Sequence, residues 1–166
     1  YILYNDLSCK KIDGTYVTTN GPTFSPDYKY IYFTDTREGK IFFSALDKEG
    51  LPIEKKLFIS IPSNQGKPDG MTIDEDGSLW VALFGGSRVD CYNFDGKKIN
   101  EIQLPVSCVT SCTFGGKNLD TLFITTSSFK LNNEQKIKEP LAGSLFCIEL
   151  GVKGIQSPKF HYNKQF

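Results

Sequence analysis

A β-propeller is the fold this sequence predicts, an all-β ring of which the 166 residues supply about three and a half four-stranded blades. Three observations predict it. Matching stretches begin at Asn20, Asp69 and Thr110, so the spacing is 49 and then 41 residues. Periods of ~40–50 residues with several short strands per unit are the mark of propeller blades. Within each unit, short runs rich in aromatic and β-branched residues are separated by turn signals. Asp76-Gly77 and Asp95-Gly96 stand where a tight hairpin needs positive φ. The chain is also 39% apolar and 13% aromatic, which excludes disorder.

The elements follow in chain order. Residues 1–5 and 15–18 read as the outer two strands of a preceding blade, so 1–19 is the end of that blade. Residues 20–63 form the next blade, with strands near 22–25, 29–34, 39–46 and 54–60. Residues 64–105 form another, with strands near 71–74, 78–84, 88–94 and 98–103. Residues 106–166 form the last, with strands near 110–114, 120–127, 143–150 and 158–162 and an insertion over 128–142. Within the insertion, 132–138 predicts a short helix that Pro140 stops. Tyr30, Tyr32, Phe33, Phe42, Phe43 and Trp80 are expected in the cores between blades. A six-bladed ring at this period takes roughly 250–300 residues, and the sequence opens on Tyr1 rather than Met. The expectation is therefore the C-terminal half of one propeller domain, with the missing N-terminal half as its partner.

Composition excludes several functions. Nineteen basic residues balance nineteen acidic ones, so the charge footprint of a nucleic-acid binder is missing. No apolar run approaches the ~20 residues of a membrane span, and no signal peptide opens the chain. Cys9, Cys91, Cys108, Cys112 and Cys147 make an odd set, which predicts reduced, buried thiols in a cytoplasmic protein. His161 is the only histidine, and no Gly-x-Ser-x-Gly elbow accompanies it. A Ser-His or Cys-His nucleophile is thus disfavoured, and any hydrolytic chemistry points to carboxylates with a metal.

Repeat-equivalent residues on innermost strands converge near a propeller axis, and Asn20 and Asp69 hold such positions. Strand alternation puts Asp69 on the face of Met71 and Ile73, and Asn20 on the face of Pro22 and Phe24. Asn-Gly and Pro-Asp-Gly are also ordinary turn sequences, so the residues alone leave both a turn and a binding role open. Asp74-Glu75-Asp76-Gly77 reads as a hairpin turn, being too short for an EF-hand. Asp35 reads as structural, and Phe84-Gly85-Gly86 as a connection between strands.

Several blocks carry a resemblance. Asn20-Gly21-Pro22-Thr23-Phe24-Ser25-Pro26-Asp27, Lys67-Pro68-Asp69-Gly70-Met71-Thr72-Ile73-Asp74 and Gly77-Ser78-Leu79-Trp80-Val81-Ala82 resemble hallmarks of the SMP-30/gluconolactonase/luciferin-regenerating-enzyme-like family, which includes regucalcin. Thr110-Ser111-Cys112-Thr113-Phe114-Gly115-Gly116, Pro140-Leu141-Ala142-Gly143-Ser144-Leu145-Phe146 and Gly151-Val152-Lys153-Gly154 continue the pattern in the family's order. The resemblance implies a six-bladed propeller with one divalent metal on its axis and hydrolysis of sugar lactones. It implies metal ligation by Asn20 and Asp69, with Asp69 also the general base. The family's third ligand, a Glu, and its substrate-binding Arg, Asn and Glu belong to the first half and have no counterpart here.

An amide oxygen, a carboxylate and one further acid form a hard-oxygen set. That set favours calcium foremost, with magnesium or manganese also suited, over zinc. Such an ion acts as Lewis acid and lowers the pKa of a water it holds, and Asp69 takes the proton as that water attacks the lactone carbonyl. Two other functions stand beside this one: a calcium-binding, regulatory protein with little catalysis, and a propeller serving only as an interaction platform.

Overall fold

A computed structural model of the chain describes residues 1–161. Strand β1 (Ile2–Leu3) pairs antiparallel with β2 (Cys9–Lys10). Strands β3 (Thr19–Phe24), β4 (Tyr30–Asp35), β5 (Lys40–Leu46) and β6 (Pro52–Ser60) form a four-stranded antiparallel sheet in that order. Strands β7 (Lys67–Ile73), β8 (Leu79–Phe84), β9 (Arg88–Tyr92) and β10 (Lys98–Gln103) form a second. Strands β11 (Val109–Gly115), β12 (Thr121–Thr126) and β13 (Leu145–Glu149) form a third. The first strand of each sheet packs on the first strand of the next, β3 on β7 and β7 on β11, as blades around an axis do.

The middle sheet is covered on both faces, and this explains its sequence. Residues 79–84 read Leu-Trp-Val-Ala-Leu-Phe, a continuous apolar run rather than an alternating one. Leu79, Val81 and Leu83 join Tyr32, Ile41, Met71 and Ile73 in the core against the first sheet. Trp80 and Ala82 point the other way, to Cys112, Phe114, Leu122 and Ile124 of the third sheet. Fully burying each large side chain contributes about 1.5–3 kcal/mol, so these two layers hold the three sheets together. Phe33 and Phe42 lie instead on the outward face of the first sheet, where Tyr16 packs edge-on against both.

Two expected strands do not form, each for a local reason. Residues 15–18 are not a strand, and Cys9–Lys10 pairs with β1 instead. The N–H groups that a ladder would use are taken by carboxylates. Asp13 accepts from Gly14 and Thr15 (2.6 and 3.3 Å), and Asp35 accepts from Val17 and Thr18 (2.9 and 3.3 Å). The strand expected over 158–162 is likewise missing from 158–161, and Tyr162 lies outside the described residues. Pro158 has no N–H to offer a ladder. After β13 the chain bridges the last two sheets: the Gly154 N–H donates to Leu119 O in the β11–β12 turn (2.8 Å), and the Glu75 N–H of the β7–β8 turn donates to Lys153 O (2.7 Å).

The expected helix is present as α1 (Asn133–Lys138). Asn132 caps it, accepting from Gln135 N (2.9 Å) while its own N–H donates to Gln135 Oε1 (2.9 Å). The Asp74–Gly77 hairpin is a turn with Gly77 at φ 84, as expected. Its Asp74 does more than turn the chain, accepting from Ser78 N (2.7 Å) and from the buried Trp80 Nε1 (2.9 Å). Cys91, Cys108 and Cys112 are buried and free; Cys9 and Cys147 are exposed, against the expectation for all five. Among the described residues, no helix is long and apolar enough to cross a membrane.

Candidate functional site

The three innermost strands share one irregularity. The β3–β4 ladder slips between Asn20 and Thr23, the β7–β8 ladder between Pro68 and Met71, and the β11–β12 ladder between Val109 and Ser111. Asn20, Asp69 and Thr110, the repeat-equivalent positions, each sit at or within such a bulge. A bulge takes a residue out of the ladder and re-aims its side chain, commonly at a functional site. Sequence alternation groups Asn20 with Pro22 and Phe24, and the bulge overturns that. Pro22 and Phe24 line the outer cleft beside Ile31 and Phe33, whereas Asn20 faces the neighbouring sheet. The glycines after Asn20 and Asp69 were the available signal, since Gly inside a strand often marks a bulge.

The re-aimed side chains meet. Asn20 Nδ2 donates to Asp69 Oδ1 at 2.6 Å and to Thr36 Oγ1 at 3.1 Å. Both residues are half-buried. Burial pushes the Asp69 carboxyl up to about 6, against an ordinary 3.8. No basic side chain pairs with Asp69 among the described residues. Thr34, directly across the ladder from Asn20, carries a fully buried Oγ1 without a hydrogen-bond partner. Thr36 was not singled out in the sequence; its place just past β4, whose Thr34 pairs with Asn20, was the signal.

A divalent cation fits this donor set. With both Nδ2 protons of Asn20 engaged, its carbonyl oxygen is left to accept, and Asp69 Oδ1 keeps a second lone pair while Oδ2 stays free. These are hard oxygens from two residues, one of them a desolvated carboxylate that has no counter-charge among the described residues. Among the described residues, no group of three His, Cys, Asp or Glu side chains is placed to hold an ion. Asn20 and Asp69 are therefore the candidate donors among the described residues. Asp35 is not part of the site. Burial alone would raise its carboxyl, but the N–H groups of Val17, Thr18 and Glu38 outweigh that and hold it below the usual range.

Gly70 shows why the motif ends as it does. A Cβ on Gly70 would lie 2.2 Å from Ser111 Oγ and 2.9 Å from Ser111 Cα. The β11 backbone is therefore too near for any side chain at this position. A Gly70→Ala variant is expected to lose about 1–3 kcal/mol through overpacking, measured by denaturant unfolding. Adding Ser111→Gly restores only part of that, because the β11 main chain still crowds the new methyl group.

Comparison with known proteins agrees with this architecture. Residues 1–128 match the SMP-30/Gluconolactonase/LRE-like region family. The chain is 38% identical over 162 residues to the YvrE protein of Bacillus subtilis (strain 168), covering 96% of this chain and 56% of that one. It is 36% identical over 148 residues to a 6-deoxy-6-sulfogluconolactonase of Pseudomonas putida, covering 89% and 51%. The crystal structure of regucalcin from Agrobacterium tumefaciens, described as a calcium-binding protein, superposes with a TM-score of 0.89 at 29% identity. That superposition covers 93% of this chain and 53% of regucalcin. The chain thus spans about half the length of the relatives it matches.

Proposed function

Since this chain belongs to the SMP-30/gluconolactonase/LRE-like family, we propose that the protein hydrolyses sugar lactones with the help of one divalent cation, calcium foremost. Asn20 Oδ1 and Asp69 are its ligands from this chain. The observation that carries the reading is the pairing of Asn20 with Asp69 at 2.6 Å from two inner-strand bulges, with no basic side chain paired to Asp69 among the described residues. A bound cation supplies Lewis acidity toward the lactone carbonyl.

Asp69 is the general base. Its Oδ1 is held by Asn20, which leaves Oδ2 to take a proton from the attacking water as the water oxygen bonds to the carbonyl carbon. The acyl C–O bond of the ring then breaks, and the departing ring oxygen takes the proton held on Asp69, which gives the open hydroxy acid and returns the carboxylate. Burial raises this carboxyl to about 6 in the metal-free chain, so it is ionised at neutral pH, and a bound cation would favour the ionised form further.

The reading includes a six-bladed ring. Two open faces support a further set of blades: the cleft lined by Phe24, Ile31 and Phe33, and the outward face of the last sheet, where Leu145 lies exposed beside Phe123 and Cys147. Those blades would supply the third ligand and the substrate-binding groups. A cytoplasmic location goes with this reading, supported by the five free cysteines. A second reading, calcium binding without catalysis, is favoured by the likeness to the calcium-binding regucalcin.

The deciding experiment is hydrolysis of glucono-lactone by the full-length protein before and after chelator. Hydrolysis lost on chelation and restored by calcium supports the lactonase. Calcium binding without hydrolysis of any sugar lactone selects the second reading.

A further inference from the structure

Thr36 is the third partner in the Asn20–Asp69 pair, and neither the repeat nor the family motifs point to it. We infer that Thr36 is a positioning residue that sets the orientation of the Asn20 amide so that its carbonyl oxygen faces the cation; this rests on the metal-site reading above. The χ2 torsion of an Asn side chain is broad and roughly two-fold, so packing alone does not decide which end of the amide faces where. Hydrogen bonds do. Asp69 Oδ1 accepts one Nδ2 proton at 2.6 Å and Thr36 Oγ1 accepts the other at 3.1 Å. With both acceptors in place the amide nitrogen is pinned, and the oxygen is directed away from both.

Asp69 cannot do this alone. A cation drawing on the Asp69 oxygens competes with the amide proton for the same lone pairs. Thr36 is neutral and is pulled by no such competition, so its bond keeps the amide turned as the ion arrives. Thr36 is itself fixed by the backbone, its N–H donating to Thr18 O at 2.9 Å just past the end of β4. That tie does not involve the hydroxyl, so removing the hydroxyl leaves the loop anchored. Partners that orient a ligand in this way are worth about 10–100-fold in metal affinity.

The test compares Thr36→Val, which keeps the shape and loses the hydroxyl, with Thr36→Ser, which keeps the hydroxyl. Two readouts are taken on the full-length protein. In the chelator-treated protein, solvent exchange of the Asn20 side-chain NH2 is followed by 15N NMR, with the signal assigned through Asn20→Asp. In parallel, calcium affinity is measured by titration calorimetry. Thr36→Val is expected to speed exchange of the Asn20 amide and to weaken calcium binding about 10-fold or more. Thr36→Ser should stay within about 3-fold of the parent in both. A merely structural threonine would lower the melting temperature without changing either readout. Unchanged exchange and unchanged affinity in Thr36→Val, or a Ser variant as impaired as the Val variant, overturns the inference. A parent protein that binds no divalent ion, yet shows the exchange difference, supports the hydrogen-bond role and overturns the metal reading instead.

Discussion

On the proposed function, an Asp69→Asn variant of the full-length protein is expected to lose sugar-lactone hydrolysis by about 10³-fold or more in kcat/KM, with weakened metal binding. On the proposed role of Asp69, that figure combines loss of a general base, about 10²–10⁴-fold, with loss of a charged metal ligand. The amide keeps the shape of the carboxylate, so the fold should be retained. A variant that keeps both the metal and the full rate would remove Asp69 from the mechanism.

The same variant carries a stability signature of opposite sign in chelator-treated protein. The Asp69 carboxyl is raised to about 6 in the folded state, from an ordinary 3.8. Between those values the folded state holds a proton that the unfolded chain has released. Wild-type stability therefore falls as pH rises from about 4 to about 6, and stays level above that. Asp69→Asn has no such proton, so it should be the more stable protein at neutral pH and equal to wild type below pH ~4. A shift of this size corresponds to ~3 kcal/mol for a wholly buried group; with a half-buried side chain, about 1–2 kcal/mol is expected. Urea unfolding at pH 4 and pH 7.5 measures it. A gap that widens toward low pH would contradict the assigned cause.

Asp90→Ala is expected to destabilise the protein by about 3 kcal/mol. Asp90 is 1% exposed on β9 and accepts from Arg88 Nε (2.8 Å), Lys98 Nζ (3.0 Å) and the Tyr92 hydroxyl (3.0 Å). Burial and the Asp90 charge push the Tyr92 phenol well above its usual range. Removing the carboxylate leaves a mostly buried guanidinium without a counter-charge and a buried hydroxyl without an acceptor. Lys98, at 38% side-chain exposure, can turn to water and recover its solvation. The Arg88 head group keeps Gly86 O at 3.3 Å, which holds the figure at the low end for a broken buried pair. Replacing all three, as Arg88→Met, Asp90→Leu and Tyr92→Phe, should cost less than Asp90→Ala alone, because no polar group is stranded. If the triple variant is the less stable of the two, unpaired charge is not the cause.

The sequence was most legible where period and polarity carried the information. The repeat at Asn20, Asp69 and Thr110 located all three inner strands, and the bulges fall at those same positions. Strand ends were less legible for a related reason. Pro68-Asp69-Gly70 reads as a turn, which places the start of β7 at residue 71, whereas the strand begins at Lys67. A bulge lets turn-forming residues sit within a strand, and no count of alternating residues reveals that. The segment 15–18 failed in the opposite way. Thr15-Tyr16-Val17-Thr18 has high β-propensity, but Asp13 and Asp35 take its N–H groups, and one of those acids lies at the far end of β4. The Asp90 network left a faint trace, a lone acid between Val89 and Cys91, that becomes meaningful only once Arg88 and Lys98 are seen to converge on it.

By itself the sequence determined the class of sheet, the repeat, and the chemical identity of the paired residues, one amide and one carboxylate. Those are properties of residue type and spacing along one chain, and they survive in a string of letters. The tertiary structure decided which way Asn20 faces, that no cation pairs with Asp69 among the described residues, and that Thr36 holds the other amide proton. These depend on the packing of β3 against β7 and on ladder slips at their bulges. Strand alternation inverts between Asn20 and Thr23, so the direction of Asn20 cannot be counted forward from the sequence, whereas Asp69 keeps the face of Met71 and Ile73 that alternation gives it.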